Sequence, residues 1–151
     1  MTRNVTDMIR RATPADALVL AELSLLLWPD HTQVEMEAEF SELLCNPDCA
    51  LFLAIYQEEL VGFAQCQLRR DYVEGTESSP VGYLEGICVR SGYRHQGHAR
   101  ALLAACEDWA REMGCREFAS DCELANTRSL AFHLSLGFTE ANRIICFTKK
   151  L

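Results

Sequence analysis

Two features of the chain combine residue types and spacing that can do chemistry. One is the loop Tyr93-Arg94-His95-Gln96-Gly97-His98-Ala99, which follows an apolar run and leads into a helical pattern. A glycine at a helix start lets backbone N–H groups approach an anion with no side chain in the way. The unpaired N–H groups of the first turn then hold phosphate oxygens. No Gly-Lys-Ser/Thr closes the loop and no G-x-G-x-x-G is present, so it is neither a Walker loop nor a dinucleotide turn. The plain alternative is a glycine at an ordinary strand-to-helix turn.

The other feature is a pair of carboxylates. Glu85 stands between Leu84 and Gly86 inside an apolar run, where a charge is out of place unless it faces a cleft. A carboxylate in a cleft can take a proton from an ammonium group, directly or through water; a solvent-facing charge on an open sheet is the alternative. Asp121 falls near the C-terminal end of a predicted parallel strand, beside the crevice where open α/β sheets bind ligands. Aspartates also cap turns, which is its plainer reading. The four histidines share no metal-ligand spacing with one another or with the cysteines, so no metal is expected.

Elements must position these groups. Met8 to Arg11 reads as a short strand, and Thr13-Pro14 as N-cap and first residue of a helix running through Leu26-Leu27 to Trp28-Pro29. Thr32-Gln33-Val34-Glu35 fits a capping box, which predicts a second helix to about Cys45, broken by Asn46-Pro47-Asp48. Ala50 to Tyr56 and Leu60 to Arg70 read as a hairpin turning at Glu58-Glu59, and Asp71 to Pro80 as a polar loop. Val81 to Arg90 is a further strand. Leu102, Leu103, Cys106, Trp109, Ala110 and Met113 give the next helix its apolar face, with Gly114 as its stop. Arg116 to Cys122 reads as a strand, Asn126 caps a helix closed by Gly137, and Phe138 to Lys150 reads as a final strand region. The order β-α-α-β-β-β-α-β-α-β predicts an α/β fold: a mixed sheet, with at least one parallel pair across 81–122 and helices on both faces.

The chain has 151 residues, which favours one domain over 1–151. With 14 Lys+Arg against 22 Asp+Glu its formal charge is −8, which argues against nucleic-acid backbone binding and favours cationic partners or simple solubility. Eight cysteines, with no C-x-x-C pair among them, read as thiols packed like small hydrophobes rather than a disulfide framework. The segment 1–7 has no apolar h-region and no stretch is long enough to span a membrane, so a cytoplasmic protein without a membrane partner is expected.

Arg94-x-x-Gly97-x-Ala99 resembles the pyrophosphate loop of the GCN5-related N-acetyltransferase superfamily. Asn126-Thr-Arg-Ser129-Leu-Ala-Phe-His133-Leu-Ser-Leu136-Gly137-Phe138 is similar to that superfamily's last helix and its Leu-Gly-Phe ending. A closer resemblance is to the aminoglycoside 6'-N-acetyltransferases. It is carried by Leu27-Trp28-Pro29-Asp30-His31, the loop around Asp71-Tyr72-Val73-Glu74-Gly75-Thr76, the strand Leu84-Glu85-Gly86-Ile87 and the run Phe118-Ala119-Ser120-Asp121, and it extends from about residue 20 to the C-terminus.

The resemblance implies acetyl-CoA as co-substrate and a cationic amine as acceptor, with Glu85 as base. It makes Asp121 a contact to the substrate amine with a share in base catalysis. It assigns Trp28, His31, Tyr72 and the position of Asn142 to the substrate side, as an amphipathic wall for sugar rings and amines. It assigns the backbone of Ile87, Cys88 and Val89 to the pantetheine, His95, Gln96, Gly97, His98, Ala99 and Arg100 to the pyrophosphate, and Asn126 to the thioester end. His133 departs from the tyrosine that many superfamily members carry; a histidine can donate a proton to the thiolate or simply pack. Asn142 stands where a glutamate is expected, with Glu140 as a candidate to restore the lost charge. An acceptor other than an aminoglycoside (a polyamine or a protein amine), a non-catalytic binding module, and an acetyl-cysteine route through Cys88 or Cys122 stay open as alternatives. A homodimer is implied as well, with the C-terminal region or the 71–80 loop contributing across the interface.

Overall fold

The computed structural model describes residues 8–151, so the polar stretch 1–7 read above for targeting lies outside the described residues. One sheet of five strands, in the order β1-β2-β3-β4-β5, carries the architecture. These are β1 (Met8–Arg11), β2 (Cys49–Tyr56), β3 (Glu59–Arg69), β4 (Val81–Val89) and β5 (Phe118–Ala119). The first three pairings are antiparallel and β4–β5 is parallel. The helices are α1 (Ala17–Ser24), α2 (Gln33–Leu43), α3 (His98–Glu112) and α4 (Thr127–Ser135). The fold is therefore the mixed α/β sheet expected, with its parallel pair across the β4-α3-β5 crossover.

Apolar spacing decides which helix covers which face. Leu20 and Leu23 of α1 and Met36 and Phe40 of α2 pack with Leu51, Leu53 and Phe63 on one side. On the other, Leu102, Leu103, Cys106 and Trp109 recur at three- and four-residue steps and put one face of α3 on Ala64, Cys66 and Leu84. Phe63 and Ala64 thus face opposite layers, as strand alternation requires.

Local chemistry sets the helix starts. Asp16 accepts from the Thr13 N–H at 2.8 Å, and its two carboxylate oxygens take the Arg10 guanidinium at 2.8 Å each. These bonds, the Arg10 bond above all, lower the Asp16 carboxyl from 3.8 to about 2. Thr32 caps α2 by accepting from the Glu35 N–H at 3.2 Å, and the Asn126 side chain caps α4 through the Ser129 N–H at 3.0 Å.

Four expectations need correction. The first helix opens as a 3-10 turn at Pro14–Asp16 and its α part ends at Ser24, short of Leu27. There the Leu27 and Trp28 N–H groups both fall back on the Ser24 carbonyl, at 3.0 and 2.8 Å. The hairpin turns at Gln57 and Glu58, both with positive φ, rather than at Glu58-Glu59. β5 is two residues long instead of seven. Finally, no strand forms over 138–150. A strand needs a partner ladder, and β5, which pairs only at Gly82↔Phe118 and Tyr83↔Ala119, offers almost none. The tail leaves Ile144, Ile145 and Phe147 65, 80 and 87% exposed.

All eight cysteines are free thiols. Cys45, Cys122 and Cys146 are exposed, so the reading of every cysteine as a packed hydrophobe holds only for the buried Cys49, Cys66, Cys106 and Cys115 and the half-buried Cys88. No helix among the described residues is long and apolar enough to cross a membrane.

Candidate active site

Glu85 owes its aim to an irregularity in the sheet. Gln65 pairs with Gly86 and Cys66 with Leu84, so Glu85 is the extra residue of a bulge on β4. A bulge re-aims a side chain and is common beside active sites. Leu84 packs into the α3 layer, whereas the next two positions both turn to the α1/α2 side. Gly86 there lies under the Trp28 ring, so close that an added Cβ would sit 2.8 Å from its Cη2. Glu85 faces a cavity of about 220 Å3 lined by Trp28, His31, Met36, Glu39 and Gln65. Trp28 is steadied by Phe63, edge-on at 6.3 Å, and His31 by Glu35 at 3.5 Å. Three of the residues expected on the substrate side therefore do meet in one cleft.

The remaining ones line a second, larger cavity of about 920 Å3, which includes Tyr72, Tyr83, Asp121, His133 and Asn142. Arg69 stands between the two. Its Nε and Nη2 both donate to Glu85 Oε1, at 3.2 and 2.8 Å. Its guanidinium carbon lies 3.4 Å from the centre of the Tyr83 ring. The Tyr83 hydroxyl in turn donates to Asp121 Oδ2. Burial first, and then this bond, pushes the Tyr83 phenol well above its ordinary value, so it stays a proton donor to Asp121. Asp121 lies just past β5 at the C-terminal end, as expected, and is exposed on its other side.

His133 is engaged at both ring nitrogens. Nδ1 donates to the Ser129 carbonyl at 2.7 Å, which assigns the proton to that nitrogen. Nε2 meets Ser120 Oγ at 2.8 Å, and the same hydroxyl lies 3.2 Å from the Leu84 carbonyl. The histidine thus joins α4 to the end of β5 and the middle of β4. Tyr72 is 78% exposed on its loop. Asn142 donates to Glu74 Oε1 at 2.8 Å. Glu140 does not restore the charge absent at Asn142, because its carboxylate is paired with Arg143 and is held below its usual range by that pairing.

The residues expected to meet the coenzyme occupy a different kind of surface. Beyond Tyr83, β4 has no strand partner on its β5 side, so the backbone of Ile87 to Val89 keeps one edge open for amide pairing. The loop that follows carries His95 at φ 63° and Gly97 at φ 88°. Gly97 is the N-cap of α3, has no side-chain cap bond, and has open space around its Cα. His98 packs edge-on against Tyr56 at 5.3 Å, and its Nε2 is the single buried side-chain polar atom without a partner among the described residues. An uncapped helix start with an orphaned donor or acceptor beside it fits an anionic pyrophosphate. Gln96 and Ala99 stand on the same loop and first turn, but Arg100 turns away and donates to the Ser135 carbonyl at 3.0 Å. Cys88 is a packed thiol: its S–H donates to the Leu23 carbonyl at 3.8 Å, and burial pushes it up, away from the thiolate that a covalent route needs.

Sequence reading missed Arg69, Tyr83, Gln65 and Glu39. Strand alternation carried a usable signal for two of them, since Phe63, Gln65, Gln67 and Arg69 share one face of β3. Placing Glu85 on that face as well required the bulge, which no local residue pattern announces.

The sequence pattern of the acetyltransferase (GNAT) family matches residues 20–138. An aminoglycoside N(6')-acetyltransferase type 1 of Stenotrophomonas maltophilia is 46% identical over 144 residues, covering 95% of this chain and 93% of its own. Among solved structures, AAC(6')-Iy in complex with the bisubstrate analogue CoA-S-monomethyl-acetylneamine superposes with a TM-score of 0.91 at 38% identity, over 96% of this chain and 99% of that one. The same enzyme in complex with CoA gives 0.93 at 37% identity, over 100% and 99%.

Proposed function

The chain belongs to the acetyltransferase (GNAT) family, among its aminoglycoside 6'-N-acetyltransferases, and from that premise we propose that it acetylates the 6'-amine of an aminoglycoside directly in a ternary complex, with Glu85 as base. The observation that carries the mechanism is the bulge that aims Glu85 into a cleft beside Trp28 while Arg69 occupies only its Oε1. Acetyl-CoA supplies an acetyl group already activated as a thioester. The chain's residues have three jobs: to hold that group, to fix the acceptor and to move protons.

The uncapped start of α3 over His95 to Ala99, with His98 beside it, holds the pyrophosphate, and the open edge of Ile87 to Val89 holds the pantetheine. Asn126 borders the thioester end while capping α4. Trp28, His31 and Tyr72 present ring faces to the sugars, and Asp121 and Glu85 pair with ammonium groups. Glu85 takes the proton that the attacking amine must lose. As the C–N bond forms and the C–S bond breaks, the second proton that the amine nitrogen sheds goes to the departing sulfur. His133 gives its Nδ1 proton to the Ser129 carbonyl and has none at Nε2 to pass on, so its contribution to that step is limited to orienting the Ser120 hydroxyl.

A homodimer belongs to the same proposal. The exposed Ile144, Ile145 and Phe147, beside a two-residue β5, support a second copy as their cover. Light scattering of the purified protein tests this, with a monomer as the negative result. The activity is tested by thiol release from acetyl-CoA with kanamycin- and tobramycin-type compounds alongside polyamines and peptide amines. Turnover confined to polyamines or peptides overturns the substrate, and binding without any thiol release overturns the catalysis.

A further inference from the structure

Glu85 and Asp121 open into different cavities, yet one short run of side chains joins them. Arg69 touches both ends of it. Through Nε and Nη2 it occupies Glu85 Oε1, and its guanidinium lies flat on the Tyr83 ring at 3.4 Å. Tyr83 then holds Asp121 Oδ2 by its hydroxyl. All of this hangs on paired strands: Gln67 is opposite Tyr83 and Arg69 opposite Val81, so Arg69 and Tyr83 are diagonal neighbours on one face. The Arg69 side chain is 38% exposed and that of Glu85 22%. At that exposure an ion pair adds little to stability, so its value to the fold does not explain its geometry.

The geometry has a consequence for chemistry. A guanidinium that meets a carboxylate side-on takes one oxygen with each N–H, using both. Here both N–H groups go to Oε1, and Oε2 receives neither. Tyr83 likewise takes Oδ2 of Asp121 and leaves Oδ1. Each carboxylate thus has one oxygen tied to the protein and one for a cation.

We propose that Arg69 is a positioning residue that fixes which oxygen of Glu85 meets the acceptor amine and, through Tyr83, sets the spacing between Glu85 and Asp121. The site then recognises an acceptor that carries two amines at a set separation, the reacting one at Glu85 and a second at Asp121. This rests on the acetyl-transfer reading above. Lysine cannot substitute, because an ammonium group has neither the fork that reaches Oε1 twice nor the flat face that stacks on Tyr83.

The test compares Arg69→Ala, Arg69→Lys and Tyr83→Phe with the wild type, using whichever amine the wild type acetylates. Arg69→Ala is expected to lose roughly a hundredfold in kcat, the scale of a misplaced reacting group, with the coenzyme KM unchanged. Added guanidinium ion should restore part of that loss, and Arg69→Lys should not match it. Tyr83→Phe keeps the ring under Arg69 and removes the Asp121 bond, so it should raise the KM for a diamine acceptor and leave that for a monoamine alone. A kcat within twofold of wild type in Arg69→Ala overturns the proposal, as does a loss that guanidinium fails to rescue and that tracks a lowered melting temperature. Failure of the acetyl-transfer reading looks different: the wild type itself then releases no thiol with any amine.

Discussion

The two halves of this site are built in opposite ways. The half proposed for the coenzyme is one continuous stretch, from Ile87 on β4 through the loop to the first turn of α3, and it offers mainly backbone. The half proposed for the acceptor is assembled from side chains on α2, β3, β4, the 71–80 loop, the end of β5 and the tail. Backbone recognition depends on φ, ψ and an open edge, so substitutions along it change little unless they alter backbone shape. Side-chain recognition depends on a few charges and rings, and single substitutions can switch it off. The architecture thus puts the chemistry proposed for the acceptor where sequence change acts most strongly.

Glu85→Gln is the sharpest way to break this contrast. It keeps the shape of the side chain and removes the proposed base, so turnover should fall by roughly a hundredfold or more while CoA binding, followed by calorimetry, stays unchanged. A loss of CoA affinity would mean that the halves are not separable at β4. A variant as active as wild type would remove Glu85 as base.

Gly86→Ala probes the acceptor side through packing. The new Cβ would meet Trp28 Cη2 at 2.8 Å and Leu27 Cδ2 at 3.1 Å. Displacing that ring should cost about 1–3 kcal/mol of stability. It should also raise the acceptor KM about tenfold, the equivalent of about 1.4 kcal/mol, with the coenzyme KM as the internal control.

The contrast also explains what could be read from the sequence. The Gly97 loop, the caps at Thr32 and Asn126 and the apolar stripe of α3 are local patterns, and each appears where it was expected. Fold class followed from the order of such elements. Glu85 was legible as a carboxylate in apolar surroundings and Asp121 by its place at the C-terminal end of a strand, but their linkage through Arg69 and Tyr83 was not. Arg69 and Glu85 are 16 residues apart and meet only through the register of β3 on β4. The tail was over-read for the converse reason. Residues 138–150 have strand-like composition, but composition cannot supply a partner edge.

A third carboxylate calibrates the other two. Asp16 has no part in either cavity and is bound by Arg10 and Thr13. Its folded value of about 2 lies below its unfolded 3.8, so it contributes on the order of 2 kcal/mol above about pH 4. That contribution disappears as the pH falls toward 2. Urea melts of Asp16→Asn should show this gap near neutrality and its closure in acid, with kcat and both KM values close to wild type. An equal gap at both ends of the range would show that charge is not its source.

The smallest effect expected is at Gly97, and it is the most specific to the coenzyme half. Its φ of 88° suits glycine, and nothing lies within 4 Å of an added Cβ. Gly97→Ala therefore creates no clash, and its cost is conformational, about 1 kcal/mol. The chain can relieve that strain by letting the residue leave the left-handed region, which turns the first N–H groups of α3 away from the pyrophosphate. The coenzyme KM should then rise several-fold, by up to the about tenfold that 1.4 kcal/mol represents, while the acceptor KM and the Glu85-dependent step stay as they were. Gly86→Ala and Gly97→Ala make the same chemical change eleven residues apart, and each should move only one of the two KM values. If Gly97→Ala raises both alike, the loop helps to shape the acceptor cleft, and the separation into a backbone half and a side-chain half fails.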